Sequence, residues 1–256
     1  MRIKDLKKAH IWIIGASSGI GAALALELSK AGATLALSAR REDELNKVVS
    51  GLEGQGHISL PADVGNHETM EQALKIIAEN FPQLDSVIFL PAIYSKHTQE
   101  RKELSFIHKM IHVNLGGAFE TVETVLPLFE KQTYGQIVLC GSVAGYRGLP
   151  YGQPYCATKA GVISYAESLR IEFEDKNIDV KVINPGFVKT PLTDKNDFSM
   201  PMIISSEKAA QSILKGIQSS CFEISFPFFF VLFMKFLGLL PNKVFFIFAR
   251  LMKRKT

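Results

Sequence analysis

Short apolar runs alternate with amphipathic stretches along most of the chain. The runs are Ile11 to Ile14, Leu35 to Ser38, Ile58 to Leu60, Val87 to Leu90, Ile137 to Leu139, Val180 to Ile183 and Glu223 to Phe226. Each has the length of a strand, and apolar residues in succession, rather than in alternation, suit a strand covered on both faces. Between them, Gly21 to Ala31, Glu42 to Leu52, Thr69 to Asn80, Gly116 to Lys131 and Tyr155 to Asp175 place apolar residues every three or four positions, the period of a helix with one buried side. This βαβ rhythm predicts an α/β fold: a doubly wound parallel sheet with helices on both faces, in a single domain over residues 1–225. Sheets of that kind bind ligands beyond the carboxyl ends of their strands.

From Phe226 the pattern changes. Phe228 to Met234 and Val244 to Met252 are rich in phenylalanine and leucine, and Lys235, Gly238 and Pro241 interrupt the path between them, so residues 226–256 are expected to form an extension of two short helices. A helix of twelve residues reaches about 18 Å, short of the roughly 30 Å hydrocarbon core, which argues against a simple transmembrane span. Two placements stay open. The apolar faces sink into a headgroup boundary while Lys235, Lys243, Arg250 and the closing Lys253-Arg254-Lys255 meet anionic lipid, or the aromatics complete the core, wall a substrate pocket or form a homo-oligomer interface.

Composition narrows the function classes. With 47% apolar and 21% charged residues in 256, the chain can bury a sizeable core, which excludes disorder and fibrous repeats. Its 29 basic and 25 acidic side chains give +4, too mild a balance for a nucleic-acid partner. Cys140, Cys156 and Cys221 form no C-x-x-C pair, so neither a disulfide framework nor a cysteine zinc site is expected. His108 and His112 lie four apart but lack the acid and third ligand of a zinc helix, and no metal is expected. Residues Met1 to Lys8 lead into only four apolar residues, without a signal-peptide core, and a cytoplasmic location is expected, peripheral on the inner face of a membrane in the lipid reading of the tail.

Directly after the first run stands Gly15-Ala16-Ser17-Ser18-Gly19-Ile20-Gly21, followed by the helical Ala22 to Leu28. A strand turning sharply into a helix aims free backbone N–H groups and the positive end of the helix dipole at one spot, and glycines let a pyrophosphate approach. The motif points to a dinucleotide, against the plainer reading of an empty glycine turn. At the end of the second run, Leu37-Ser38-Ala39-Arg40-Arg41-Glu42 has no carboxylate at Ala39 or Arg40 to hold a ribose 2′-hydroxyl. A guanidinium there can pair with a 2′-phosphate, so NADP(H) is expected over NAD(H), through Arg40; the alternative is a solvated arginine pair.

Tyr155-Cys156-Ala157-Thr158-Lys159 opens a predicted helix, where a spacing of four puts the phenol and the ammonium on one face. A phenol of pKa about 10 is a slow acid or base near neutrality, and a nearby ammonium lowers that value. Taken alone, a tyrosine and lysine four apart occur by chance on many helices. Gly141-Ser142-Val143-Ala144-Gly145 follows the fifth run, Ser142 stands thirteen positions ahead of Tyr155, and Asn114 lies upstream in Val113-Asn114-Leu115-Gly116-Gly117.

Together with the G-x-x-x-G-x-G spacing at Gly15, Gly19 and Gly21, this order resembles the classical short-chain dehydrogenases/reductases over about residues 8–225. The resemblance implies a Rossmann-like fold. It also implies that Ser142 bonds the substrate oxygen, Tyr155 passes the proton, Lys159 orients the nicotinamide ribose and tunes the tyrosine, and Asn114 supports a relay through water. Asp63-Val64 resembles the pair that contacts the adenine. Asn184-Pro185-Gly186-Phe187-Val188-Lys189-Thr190 resembles the nicotinamide-side loop, implying cofactor contacts from Pro185, Gly186, Val188 and Thr190. The plainer readings are that Ser142 caps a turn and Asn114 bridges neighbouring strands.

One segment departs from the family pattern: Phe89-Leu90-Pro91-Ala92-Ile93 replaces an Asn-Asn-Ala-Gly-like stretch, and Pro91 removes a backbone donor. Residues Pro191 to Met202, including Lys195, Asn196, Asp197 and Phe198, are expected to close over the substrate as a lid with an apolar underside. The expected activity is NADP(H)-dependent hydride transfer between nicotinamide and a hydrophobic ketone, aldehyde or secondary alcohol. The alternative is a catalytically silent dinucleotide-binding or membrane-associated interaction protein.

Overall fold

The computed structural model describes residue 3 and residues 5–95, 103–194 and 199–253. Seven strands, β1 (His10–Ile14), β2 (Thr34–Ala39), β3 (Ile58–Pro61), β4 (Ser86–Phe89), β5 (Gly135–Cys140), β6 (Ile178–Pro185) and β7 (Glu223–Phe226), form one sheet in the order β3-β2-β1-β4-β5-β6-β7. Every neighbouring pair is parallel. The chain winds outward from β1 to β3, then returns to lay β4 on the other side of β1, with Ile14 opposite Phe89. That reversal opens a crevice at the carboxyl ends of β1 and β4.

The apolar runs are continuous because both faces of the sheet are covered. Trp12 and Ile14 point into a core with Val87, Phe89, Val122, Phe129 and Val162, while Ile11 and Ile13 point into a second core with Leu24, Leu28, Leu35, Leu37 and Ile213. The helices behind the first core are α3 (His67–Asn80), α5 (Gly117–Gln132) and α6 (Tyr155–Glu172); those behind the second include α1 (Gly19–Lys30), α2 (Glu42–Ser50) and α7 (Ser206–Gln218). The indole of Trp12 donates to Ser38 Oγ at 2.8 Å, satisfying the one polar atom of a fully buried ring.

Three features depart from the hydrophobic pattern. β6 is longer than its apolar run, because Asp179 and Lys181 are buried within it: Asp179 accepts from Arg170 at 2.7 Å and Gln136 at 3.0 Å, and Lys181 donates to the carbonyls of Ser219 and Cys221. A helix α4 (Leu104–Ile111) precedes a π-helical turn at His112–Gly116 that leads into α5. α7, absent from the run of expected helices, starts at Ser205, whose Oγ accepts from Lys208 N at 3.3 Å, and buries Ala209, Ala210, Ile213 and Ile217.

Beyond β7 the extension forms α8 (Phe228–Leu239) and α9 (Asn242–Lys253), two helices as the Gly238 and Pro241 breaks predict. No described helix is long and apolar enough to cross a membrane. Phe230, Val231, Met234 and Leu237 of α8 build a third, smaller apolar cluster with Val143, Tyr146, Leu149 and Phe187.

Candidate active site

The glycine-rich turn is tied to the sheet before it becomes a helix. Gly15 and Ala16 both donate to the carbonyl of Ser38, at 2.8 and 3.1 Å, and Gly15 takes a φ of +85°, which side-chain-bearing residues adopt rarely. A Cβ on Gly21 would stand 2.2 Å from Gly15 O, so the first turn of α1 fits under the loop only as glycine. Ser18 is the N-cap of α1, and its hydroxyl makes no capping hydrogen bond.

Above this turn lies a cleft of about 410 Å³. Its walls bring together ten of the residues expected to hold the cofactor: Gly15, Ser17, Ser18, Gly19, Ile20, Gly21, Arg40, Asp63, Val64 and Thr190. The fit to a dinucleotide phosphate is physical: a concave glycine turn, a helix N-terminus and two arginines meet in one place. Arg40 is exposed on the wall, but the guanidinium that reaches the glycine loop is that of Arg41, whose Nη2 donates to Ser17 Oγ at 3.3 Å and Ser18 Oγ at 3.5 Å. Asp63 is held by Gly65 N, which donates to its Oδ1 at 3.0 Å.

Five expected cofactor residues stand apart from the lining: Tyr155 and Lys159 of α6, and three in and after β6. Val188 is buried in the second core, and its carbonyl accepts from Thr193 Oγ1 at 2.6 Å. Gly186 donates from its backbone to Phe226 O at 2.7 Å, and Pro185 O accepts from Ser142 Oγ at 3.4 Å. These contacts stitch the loop after β6 to β7 and to β5.

The residues expected to react are assembled beyond the carboxyl end of β5. β5 stops at Cys140, and Ser142 then caps a short 3₁₀ turn, its Oγ accepting from Ala144 N at 3.1 Å. Tyr155 is the first residue of α6, and Lys159, one turn on, is almost fully buried. Its Nζ donates to Cys140 O at 2.7 Å and lies 5.8 Å from the centre of the Tyr155 ring. Serine, tyrosine and lysine thus converge, the phenol hydrogen-bonded to Ser142.

Electrostatics here differ from the simple expectation that Lys159 draws the phenol toward neutrality. Burial pushes the Tyr155 phenol well above its ordinary value, the neighbouring Cys140 adds to that, and the hydrogen bond with Ser142 opposes it. Lys159 is itself pushed below its ordinary value by burial, opposed by Cys140. Burial of both groups accounts for the difference, and the Lys159 amine is engaged by the Cys140 carbonyl.

Asn114, fully buried in the π-helical turn, clamps the departing segment after β4. Its Oδ1 accepts from Ile93 N at 2.7 Å and its Nδ2 donates to Ile93 O at 3.0 Å, so both ends of the amide bridge to backbone. This fixes Leu90 to Tyr94, all five of which line the cleft, and Leu90 still donates to Ile14 O at 3.0 Å. Pro91 packs over Gly15, where a Cβ would come within 3.0 Å of Pro91 N. The loss of a donor at Pro91 is therefore compensated from the Asn114 side.

Two residues escaped the sequence reading. Tyr94 lines the cleft and meets the Tyr155 ring edge-on, with centroids 5.3 Å apart, and Cys140 lines the cleft beneath Lys159. The position of Tyr94 just past a strand that borders the chain reversal was a usable signal. The expected lid falls partly at residues 195–198, outside the described residues. Among the described residues, no group of three His, Cys, Asp or Glu side chains is placed to hold a metal ion.

Comparison with known proteins gives this geometry a family. A family model described as short chain dehydrogenase matches residues 9–199. An uncharacterized oxidoreductase of Myxococcus xanthus is 30% identical over 235 residues, covering 91% of this chain and 93% of that protein. One from Mycobacterium tuberculosis is 32% identical over 206 residues, covering 78% and 81%. Among solved structures, 3-ketoacyl-(acyl-carrier-protein) reductase from Brucella melitensis complexed with NADH superposes with a TM-score of 0.79 at 21% identity, covering 86% of this chain and 98% of that one. Actinorhodin polyketide ketoreductase with NADPH gives 0.76 at 21% identity, covering 86% and 96%. At such identities the structural likeness is one of fold.

Proposed function

The chain belongs to the short chain dehydrogenase family, and from that premise we propose that it is an NADP(H)-dependent oxidoreductase that interconverts hydrophobic ketones or aldehydes with their alcohols. The observation that carries this reading is the convergence of Ser142, Tyr155 and Lys159 at the carboxyl end of β5, whose last residue, Cys140, also lines the cleft above the glycine turn. Nicotinamide, when bound, supplies or accepts the hydride. Solved relatives carry NADPH in one case and NADH in another, so the fold accommodates both. The preference for NADP rests on Arg40 and Arg41 at the cleft wall and on the lack of a carboxylate after β2.

In reduction, the Tyr155 hydroxyl gives its proton to the carbonyl oxygen as that oxygen gains charge; in oxidation, the phenolate takes the proton back. Ser142 Oγ, bonded to the phenol, shares the same oxygen and orients it. Lys159 holds the Cys140 carbonyl and so fixes the end of β5 against α6. A hydrophobic substrate is favoured by the apolar cluster around Val143, which directly follows Ser142. The test is NADPH consumption against a panel of apolar ketones and aldehydes. Tyr155→Phe should lose about two to four powers of ten in turnover while NADPH binding, followed by fluorescence, survives. Undiminished turnover in that variant overturns the reading.

A further inference from the structure

The inner faces of α8 and α9 are fully employed. Phe230, Val231, Met234 and Leu237 pack on the loop after Ser142, and Phe245 is buried. Arg147 clamps the turn between the helices, donating to Gly238 O at 3.1 Å and Asn242 Oδ1 at 2.6 Å with its guanidinium 4.4 Å from the Phe245 ring centre. Lys235 pairs with Glu223 of β7. The tail is therefore seated, and what it leaves outside is not waiting for the core.

What it leaves outside is apolar. Phe228, Phe229, Leu232, Phe233, Phe236 and Leu239 are all more than half exposed or nearly so, Leu239 at 84%, and at 100° per residue they occupy a single side of α8. On α9, Val244, Ile247, Phe248 and Leu251 share one exposed side, with Lys243 and Arg250 along its edge. Together these side chains expose on the order of 1,000 Å², more than the few hundred Å² of an ordinary largest patch.

Charge selects the occupant. Residues 226–256 contain Lys235, Lys243, Arg250, Lys253, Arg254 and Lys255 and no acidic residue, more positive charge than the net +4 of the whole chain, so the remainder is net negative. A second tail would bring like charges together, whereas an anionic bilayer offers hydrocarbon to the aromatics and phosphate to the cations. We propose that α8 and α9 form an interfacial docking surface for an anionic lipid bilayer, lying in the headgroup boundary rather than crossing it. This surface stands independently of the reaction assigned above.

The test is flotation of the full chain with vesicles of phosphatidylcholine alone or with about 30% phosphatidylglycerol, at low salt and again at high salt. At least about tenfold more protein should float with the anionic vesicles, and salt should reduce it. Phe229→Ser/Phe233→Ser/Phe236→Ser and, separately, Lys243→Glu/Arg250→Glu should each lose about tenfold of that binding while retaining NADPH affinity, which reports the fold. Flotation that is absent with both vesicle types overturns the proposal. So does an apolar variant that turns a dimer into a monomer in light scattering without changing flotation, which assigns the surface to a second copy.

Discussion

At Tyr155 two effects compete, and burial wins. A phenol held above its ordinary value stays protonated through neutrality, so reduction, which uses the acid form, should show kcat/KM flat across neutral pH and falling only in alkali. Oxidation uses the phenolate and should rise with pH over the same range. Because the Ser142 hydrogen bond lowers the phenol's value, Ser142→Ala should move the alkaline limb upward as well as slow turnover. A limb that stays put or moves down contradicts this assignment of Ser142.

The proposed cofactor preference belongs to the same scale. Both arginines are exposed at the wall but only Arg41 touches the loop serines, so Arg41→Ala should reduce the proposed preference for NADPH over NADH by about tenfold or more, and Arg40→Ala by less. Comparing dissociation constants for the two nucleotides checks it; an unchanged ratio in both variants places the phosphate contact elsewhere. The convergence of Tyr155, Lys159 and Ser142 was legible in the sequence because a spacing of four puts the first two on one helix face and the order of the motifs resembles that of a known family. Which arginine reaches the glycine loop was not, since that depends on the direction of the chain between β2 and α2, and Tyr94 was hidden because its contact with Tyr155 spans sixty-one positions.

At the scale of elements, Glu223 joins the sheet to the tail. It accepts from Asn184 Nδ2 at 2.8 Å and from Tyr146, and it pairs with Lys235 of α8. Burial raises its carboxyl, but the hydrogen bonds from Lys235, Tyr146 and Asn184 outweigh that and leave it below the usual carboxylate range. A value depressed by folding stabilises the folded form above the unfolded-state value of about 4.3, and the contribution is lost as pH falls through the folded one. The protection factors of α8 amides, observed exchange relative to the intrinsic rate at each pH, should therefore fall on acidification, and Glu223→Gln should loosen α8 at neutral pH while abolishing most of that acid response. Equal protection of α8 in parent and variant at both pH values contradicts it.

Hydrophobic patterning located the strands and five of the helices because burial on two faces or one leaves different periods. It stopped short in β6, where Asp179 and Lys181 satisfy each other's chemistry inside the sheet, and it passed over α7, whose buried face is partly built of small alanines. The break of the tail into two helices was legible from Gly238 and Pro241. Which side of each helix turns inward was not, because both sides of α8 are apolar.

Across the whole molecule the two ends of the sheet do different work. At the amino ends, His10, Asp85, Ser86, Gln136 and Asp179 form polar contacts that fix neighbouring strands, with Gln136 receiving from Ser86 and donating to Asp179. At the carboxyl ends, the reversal between β1 and β4 opens the cleft, and the turn after β5 brings Ser142 together with Tyr155 and Lys159 of α6. The alternation of elements announced a doubly wound sheet, but the strand order is a matter of which helix crosses which face, and no local period encodes it.

The central claim is that hydride and proton reach one carbonyl carbon and oxygen from opposite partners, the nicotinamide and Tyr155. The direct measurement is deuterium transfer from NADPH labelled at the reactive carbon, read by mass spectrometry of the alcohol formed from an apolar ketone, in the parent protein and in Tyr155→Phe. The account predicts an alcohol one mass unit heavier from the parent and transfer slowed about a hundredfold or more in the variant. Label transferred as fast by Tyr155→Phe as by the parent contradicts it.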